Sequence, residues 1–476
     1  MEASSYPLDP ALIDRFAAIV GERHALRSEA DIAPHVVEQR GLFGGRTALV
    51  LKPGSTEEVS RILKLATETG TPIVPQGGNT GLVGGQMPDG SGREVVLSLS
   101  RLNRIREIDL YSNTATVEAG VVLQTLQEAA AANDRLFPLA LASQGSCQIG
   151  GNLSSNAGGI GALAYGTARD LCLGVEVVLP TGEIFDDLRK LKKDNTGYDL
   201  KNLFVGAEGT LGVITAAVVK LFPKPKGREL AWAAVGSPVA ALKLFEAAND
   251  KAGTALTAFE LMEKTPLDFA LRHIPGTQAP FAEDYPWHVL IEISSGRSAE
   301  DARALMEAIL GAGLEAGWVT DAVIAQNEAQ AAALRHLREA MSDAQKPEGG
   351  SIKHDISVPV AAIPEFIERA GRAVQQVVPG SRVVCFGHMG DGNLHYNVSQ
   401  PVGMDRASFL SHYRAMNDAV HAVVRALGGS FSAEHGIGRM KRDELIATQP
   451  AIATELMRRI KKAFDPAGIM NPDKVI

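Results

Sequence analysis

Three glycine-dense segments, PQGGNTGLVGG at 75–85, GSCQIGGNLSSNAGG at 145–159 and GAEGTLGVIT at 206–215, dominate the first half of the chain. Glycine weakens helix and strand interiors, so such density marks backbone that a ligand approaches closely. The first segment follows a strand, and its glycines with Asn79 and Thr80 can aim several N–H groups at one anion, a nest that suits phosphate. Alone, that loop is equally readable as a plain glycine turn. No GK[ST] is present, and GxGxxG is not met in its strand-to-helix context, so neither a Walker A loop nor a dinucleotide fingerprint is read here. Three such segments in one domain point to an extended ligand.

A chain of 476 residues exceeds one ordinary core, and two domains are expected. The net charge of −8, without a long basic run, argues against nucleic acid as a partner. No run of about 18 apolar residues occurs, so no transmembrane segment is expected. The N-terminal MEASSYPLDPALIDRFAAIVG lacks a basic region followed by an apolar core, and no leader is expected. Cys147, Cys172 and Cys385 lie far apart without a CxxC, which fits reduced thiols and a cytoplasmic protein.

Residues 47–76 read as strand, helix, strand, with Ser55 and Glu58 as a capping box and Gly70 as the helix stop. Short β-rich runs follow, broken by a helix near 122–133, and Lys224-Pro225-Lys226 marks a boundary. Beyond it the pattern changes to helices at 237–251, 298–312, 325–345, 362–376 and 405–427, with strands near 287–294, 352–359 and 381–398. A helical stretch at 439–463 ends in DPAGIMNPDKVI, which has no helical period.

In GHMGDGNLH (387–395) two histidines flank an Asp391-Gly392 turn. Alternation along a hairpin puts His395 and Asn397 on one face with His388 near the turn. AEHGIGRMK then supplies Glu434 and His435 in a second glycine-flanked loop. On the residues alone two readings stay open: hydrogen-bonded strand histidines beside a helix N-terminal charge, or a His, His, Glu metal set with positions left for water or substrate.

PQGGNTG, IGGNLSSNAGG and GAEGTLGVIT, in this order, resemble the PCMH-type FAD-binding domain of the vanillyl-alcohol oxidase superfamily over about 42–222. That resemblance implies FAD contacts at Gly77, Gly78, Asn79, Thr80, Gly81, Ser146, Gly150, Asn152, Gly158 and Ile214. Gly77-Gly78-Asn79 stands where some relatives carry a flavin-linking histidine, so the FAD is expected to be non-covalent. GHMGDGNLH with EHGIG resembles the C-terminal half of the FAD-linked D-2-hydroxyacid dehydrogenases, which act on D-lactate, glycolate or D-2-hydroxyglutarate. The resemblance implies a divalent metal on His388, His395 and Glu434, zinc foremost, with manganese or cobalt also suited to such donors. It further implies metal-assisted deprotonation of the α-hydroxyl, with His435 as base, and hydride transfer to FAD.

LRE in EAQAAALRHLREAMSDAQ (328–345) with KxDIS in SIKHDISVP (351–359) resembles the D-2-hydroxyglutarate branch, which implies substrate contacts at Arg338, Ser342, Lys353, Asn397 and His435. Ser342 stands where threonine is familiar, and Arg335 where tryptophan is. The tail IMNPDKVI resembles the family's return to the flavin, which implies a contact from Asn471. The expected fold class is thus α+β: a helical segment at 1–41, the PCMH-type FAD-binding domain at 42–222, an α/β substrate and metal-binding cap domain at 223–430, and a C-terminal segment at 431–476 that completes the site. The family resemblance implies an electron-transfer flavoprotein as electron acceptor, and a homodimer is left open. The alternatives are a D-lactate or glycolate dehydrogenase with the same chemistry and, more remotely, a metal-dependent hydrolase binding a nucleotide.

Overall fold

The structure is a computed structural model that describes residues 8–38 and 40–476. The described residues divide into two compact units, one formed by those of 8–158, 166–223 and 434–476, the other by 159–165 and 224–433.

Among the described residues the first unit holds two main sheets, besides the short antiparallel pairing of Arg135–Leu136 with Phe222–Pro223. In the smaller, the strands Val50–Leu51, Val95–Ser98 and Ile73–Gln76 pair parallel, with Ala25–Leu26 antiparallel on the edge. The helix Thr56–Thr69 connects Val50–Leu51 to Ile73–Gln76 as expected. The Ser55 side chain accepts from the Glu58 amide at 3.2 Å, the Glu58 carboxylate reaches back to the Gly54 amide at 2.7 Å, and Gly70 ends the helix at φ 65°. Its Val59, Ile62, Leu63 and Ala66 are fully buried against the sheet, each large one contributing about 1.5–3 kcal/mol. The larger sheet is antiparallel, in the order Ile105–Asp109, Thr114–Glu118, Val213–Lys220, Cys172–Val178, Ile184–Asp187.

The C-terminal stretch of this unit contains two helices, Arg442–Thr448 and Ala451–Phe464, where the sequence reads as one. Pro450 is the cause: it offers no amide proton and forces Gln449 to an extended ψ of 150°. The tail then pairs with the parallel sheet. The Ile73 amide donates to the Ile469 carbonyl and the Asn471 amide to the Ile73 carbonyl, each at 2.8 Å.

The second unit is built on an antiparallel sheet in the order Val319–Ile324, Gly227–Val235, Trp287–Ser295, Leu256–Glu263, Arg382–His388, Asn393–Ser399, Ser351–Ile352, with Asp355–Ser357 also paired to Asn393–Ser399. Strand alternation divides its core in two. Ala231, Phe259, Leu261, Ile291 and Tyr396 pack with the helices Pro238–Ala252, Ala299–Glu315, Ile363–Val377 and Tyr413–Ala426. Trp232, Met262, Leu290 and Phe386 pack with Lys264–His273 and Glu328–Ala340. The expected 405–427 helix is split into Arg406–Leu410 and Tyr413–Ala426, and the expected 325–345 helix stops at Ala340. Among the described residues no helix is long and apolar enough to cross a membrane.

Candidate active-site elements

The first unit contains a cleft lined by backbone from all three glycine segments. Gly77, Gly78, Asn79, Thr80, Gly81, Gly150, Asn152 and Ile214 line it, and so does His435. Close packing explains Gly78 and Gly150. A Cβ at Gly78 would overlap the Ser146 carbonyl, and one at Gly150 would sit 2.6 Å from the Ala119 Cβ. Asn79 adopts φ 55°, which asparagine tolerates better than most side chains, and its amide group donates to the Pro34 and Val37 carbonyls at 3.0 Å. Ser146 is exposed beside Gly78 and Gly158 lies next to Glu434, both outside the cleft lining.

Among the described residues no lysine or arginine lines the cleft, so the donors it offers an anion are backbone amides and amide or hydroxyl side chains. FAD fits this surface on a further ground. Gln148 Oε1 and Asn152 Oδ1 are buried acceptors without a hydrogen bond among the described residues, an expensive state that a polar ligand relieves.

Glu208, which nothing in the sequence singles out, also lines the cleft. It sits at φ 51°, and its carboxylate accepts from the Ile437 amide at 2.7 Å and the Gly438 amide at 2.8 Å, fixing the loop after Glu434 and His435. Burial raises the Glu208 pKa against the pull of those two amides. Asn471 is tied to the Glu208 backbone: its Nδ2 donates to the Gly85 carbonyl at 2.9 Å and the Glu208 carbonyl at 2.7 Å.

In the second unit, Arg382–His388 and Asn393–Ser399 form the expected hairpin. The His388 carbonyl accepts from the Gly392 amide at 3.1 Å, and Gly392 takes φ 86° where a Cβ would overlap the Val358 carbonyl. Phe386 opposes His395 in the ladder, and the His388 and His395 rings stand 5.7 Å apart, nearly perpendicular, on one face. Two imidazoles so placed are a donor pair that suits a borderline divalent metal. Asn393 donates to Asp355 Oδ1 at 3.0 Å, and that oxygen lies 4.0 Å from His395 Nδ1. Ala433, the residue before Glu434, donates its amide to the Asp355 carbonyl at 3.3 Å.

Of the expected substrate contacts, Arg338 is 7% exposed in the last turn of Glu328–Ala340 and Asn397 is 4% exposed, its Oδ1 accepting from the His354 amide at 3.1 Å. Ser342 and Lys353 are exposed, with Lys353 Nζ 3.3 Å from the Ser342 carbonyl. Arg335, in the place of a familiar tryptophan, pairs with Glu292 at 2.8 Å. Arg338 pairs with Glu260, a second residue that sequence reasoning missed, at 2.6 Å. Burial pushes the Glu260 pKa up, but the charges of His388 and Arg338 outweigh it and hold the carboxyl at about 2.

Among known proteins, residues 47–187 match the FAD binding domain family and residues 224–475 match the C-terminal domain of FAD linked oxidases. A mitochondrial D-2-hydroxyglutarate dehydrogenase of Arabidopsis thaliana is 36% identical over 469 residues, spanning 98% of this chain and 82% of that one. The D-2-hydroxyglutarate dehydrogenase of Xanthomonas citri pv. viticola is 38% identical over 423 residues, 89% of this chain and 88% of its own. In fold, the chain is similar to p-cresol methylhydroxylase, with a TM-score of 0.76 at 16% identity over 98% of this chain and 96% of that one. The chain therefore belongs to the FAD-linked D-2-hydroxyacid dehydrogenases, flavoenzymes that join a PCMH-type FAD-binding domain to an FAD-linked oxidase C-terminal domain.

Proposed function

We propose that this protein oxidises D-2-hydroxyglutarate to 2-oxoglutarate, using non-covalent FAD and a divalent metal, zinc foremost, held by His388, His395 and Glu434. The observation that carries this reading is the His388–His395 pair on the same sheet face as the buried Arg338, in a chain of this family. FAD supplies the hydride acceptor, and the metal supplies Lewis acidity at the substrate hydroxyl. The chain's own residues do the rest. The three glycine segments close on the dinucleotide by backbone donors, without a side chain at Gly77-Gly78-Asn79 to bond the flavin covalently.

His435, which lines the flavin cleft, takes the hydroxyl proton on its imidazole. Arg338 holds a substrate carboxylate, with Ser342, Lys353 and Asn397 completing the dicarboxylate pocket. Removing a buried cationic partner of a carboxylate costs about 2–5 kcal/mol, which favours the dicarboxylate over lactate by roughly 30-fold or more. Electrons leave to an electron-transfer flavoprotein. The three buried, unpaired cysteines support a reducing compartment such as the cytoplasm.

The test is anaerobic mixing of the purified protein with D-2-hydroxyglutarate, its L enantiomer or D-lactate, following loss of the oxidised flavin absorbance before and after metal chelation. The expected result is rapid bleaching by D-2-hydroxyglutarate alone, abolished by chelation. Equal or faster bleaching by D-lactate would transfer the substrate assignment to that acid, and a colourless protein that FAD cannot reconstitute would remove the flavoenzyme reading altogether.

A further inference from the structure

The strand Leu256–Glu263 turns Glu260 to the sheet face shared by Met262 and the helix Glu328–Ala340, where its carboxylate is 1% exposed. A carboxylate so far from water is costly to keep unless both of its oxygens are engaged. Both are, and by residues with separate roles in the proposed chemistry. Oε1 lies 2.6 Å from Nδ1 of His388. Oε2 takes Arg338 Nε at 2.9 Å and Nη2 at 2.6 Å.

Each contact fixes something that a merely space-filling residue would leave loose. An imidazole that donates its Nδ1–H to a carboxylate is held in one tautomer, with the lone pair on Nε2, and its basicity as a ligand rises. The Arg338 guanidinium is gripped along one edge by Glu260, and its Cζ lies over the Phe386 ring, 4.9 Å from the ring centre. That leaves Nη1 as the nitrogen Glu260 does not engage.

We propose that Glu260 is a positioning residue that couples the metal and carboxylate sites: it presents His388 Nε2 to the divalent cation and locks Arg338 in the orientation that receives a substrate carboxylate. The inference rests on the reading of His388 as a metal ligand and Arg338 as a carboxylate clamp. It makes metal affinity and dicarboxylate KM depend on one side chain that touches neither ligand.

The experiment is zinc titration of flavin-loaded, metal-stripped protein against a competing chromogenic chelator, on the wild type and on Glu260→Gln, with flavin content measured in each. The variant is expected to keep its flavin and to bind zinc about 10- to 100-fold more weakly. In steady state, its KM for D-2-hydroxyglutarate should rise more than its KM for D-lactate. Wild-type binding with a variant within twofold of it overturns the coupling and leaves the metal reading standing. A wild type that takes up no zinc, manganese or cobalt overturns both. Should Glu260→Gln not fold, the wild type decides. In zinc-loaded protein carrying nitrogen-15 histidine, His388 is expected to coordinate through Nε2 and retain its Nδ1–H, and coordination through Nδ1 would end the proposal because that nitrogen could no longer donate to Glu260.

Discussion

Single positions in the glycine segments are dictated by close approach of two backbones. Gly78 has no positive φ to excuse it; a side chain there would simply collide with the Ser146 carbonyl and lie 3.0 Å from the Cys147 Cα. Gly78→Ala should therefore push the first and second segments apart, at a cost of about 1–3 kcal/mol, and lower the flavin occupancy of purified protein. The ratio of flavin to protein absorbance, read with the melting temperature, checks this, and full occupancy with an unchanged melting point would show that the approach can relax. Such glycines are legible in a sequence because the residue type is itself the constraint, and the same holds for His388 and His395, whose donor chemistry few residues share. Glu260 and Glu208 are not legible. A glutamate in a strand or loop reads as a solvated charge, and only the partners brought to it, His388 with Arg338 or the Ile437 and Gly438 amides, mark it as buried machinery.

Among the elements, the second unit shows why helices are easier to read than the strands between them. The helices carry caps and a 3.6-residue apolar stripe, as Ser237 at the start of Pro238–Ala252 and Ser298 at the start of Ala299–Glu315 illustrate. The strand LTAFELME is hard to read because Glu260, Met262 and Glu263 interrupt the β-branched and aromatic signal that identifies a strand, although Phe259 and Leu261 alternate correctly. One carboxylate adds a polar tie to the apolar junction of Lys264–His273 with Arg382–His388. Glu348, 9% exposed, accepts from Arg272 and His273 at 2.6 Å and pairs with Arg382. Burial alone would raise its pKa, but those three partners hold it at about 2, below the ordinary 4.5. A folded-state pKa below the unfolded one means the stabilisation is complete above about pH 4.5 and is lost as pH falls towards 2. Urea unfolding between pH 6 and 3 should show the wild type losing about 1–3 kcal/mol through this group, and Glu348→Gln, already weaker at pH 6, should show a flatter acid slope. Parallel slopes for the two proteins would assign the acid sensitivity elsewhere.

At the scale of the molecule, the flavin-binding unit is discontinuous: the chain leaves it at Pro223 and re-enters at Glu434. Periodicity cannot announce this return, since IMNPDKVI has neither helical nor strand pattern, and the expectation of Asn471 near the flavin rests on the family resemblance alone. Physically the tail is core rather than appendage. Ile469 and Met470 are buried with the parallel sheet, Asn471 ties the Gly85 and Glu208 carbonyls together, and Lys474 is 1% exposed beside Glu94, 3.3 Å away. Deleting residues 469–476 would strip two apolar side chains worth about 1.5–3 kcal/mol each and leave Glu94 buried without its cation, a further 3–5 kcal/mol. The total is comparable with the whole stability of an ordinary domain, about 5–15 kcal/mol. In the intact protein, FAD at about 100 times its Kd should add about 2.7 kcal/mol, which raises the melting temperature by roughly 5–10 °C. The truncated chain should purify without flavin and show no such FAD-dependent rise. A truncated protein that keeps both would mean that the parallel sheet and the Glu208 loop hold the cofactor's cradle without the pairing of Ile73 to Ile469 and Asn471.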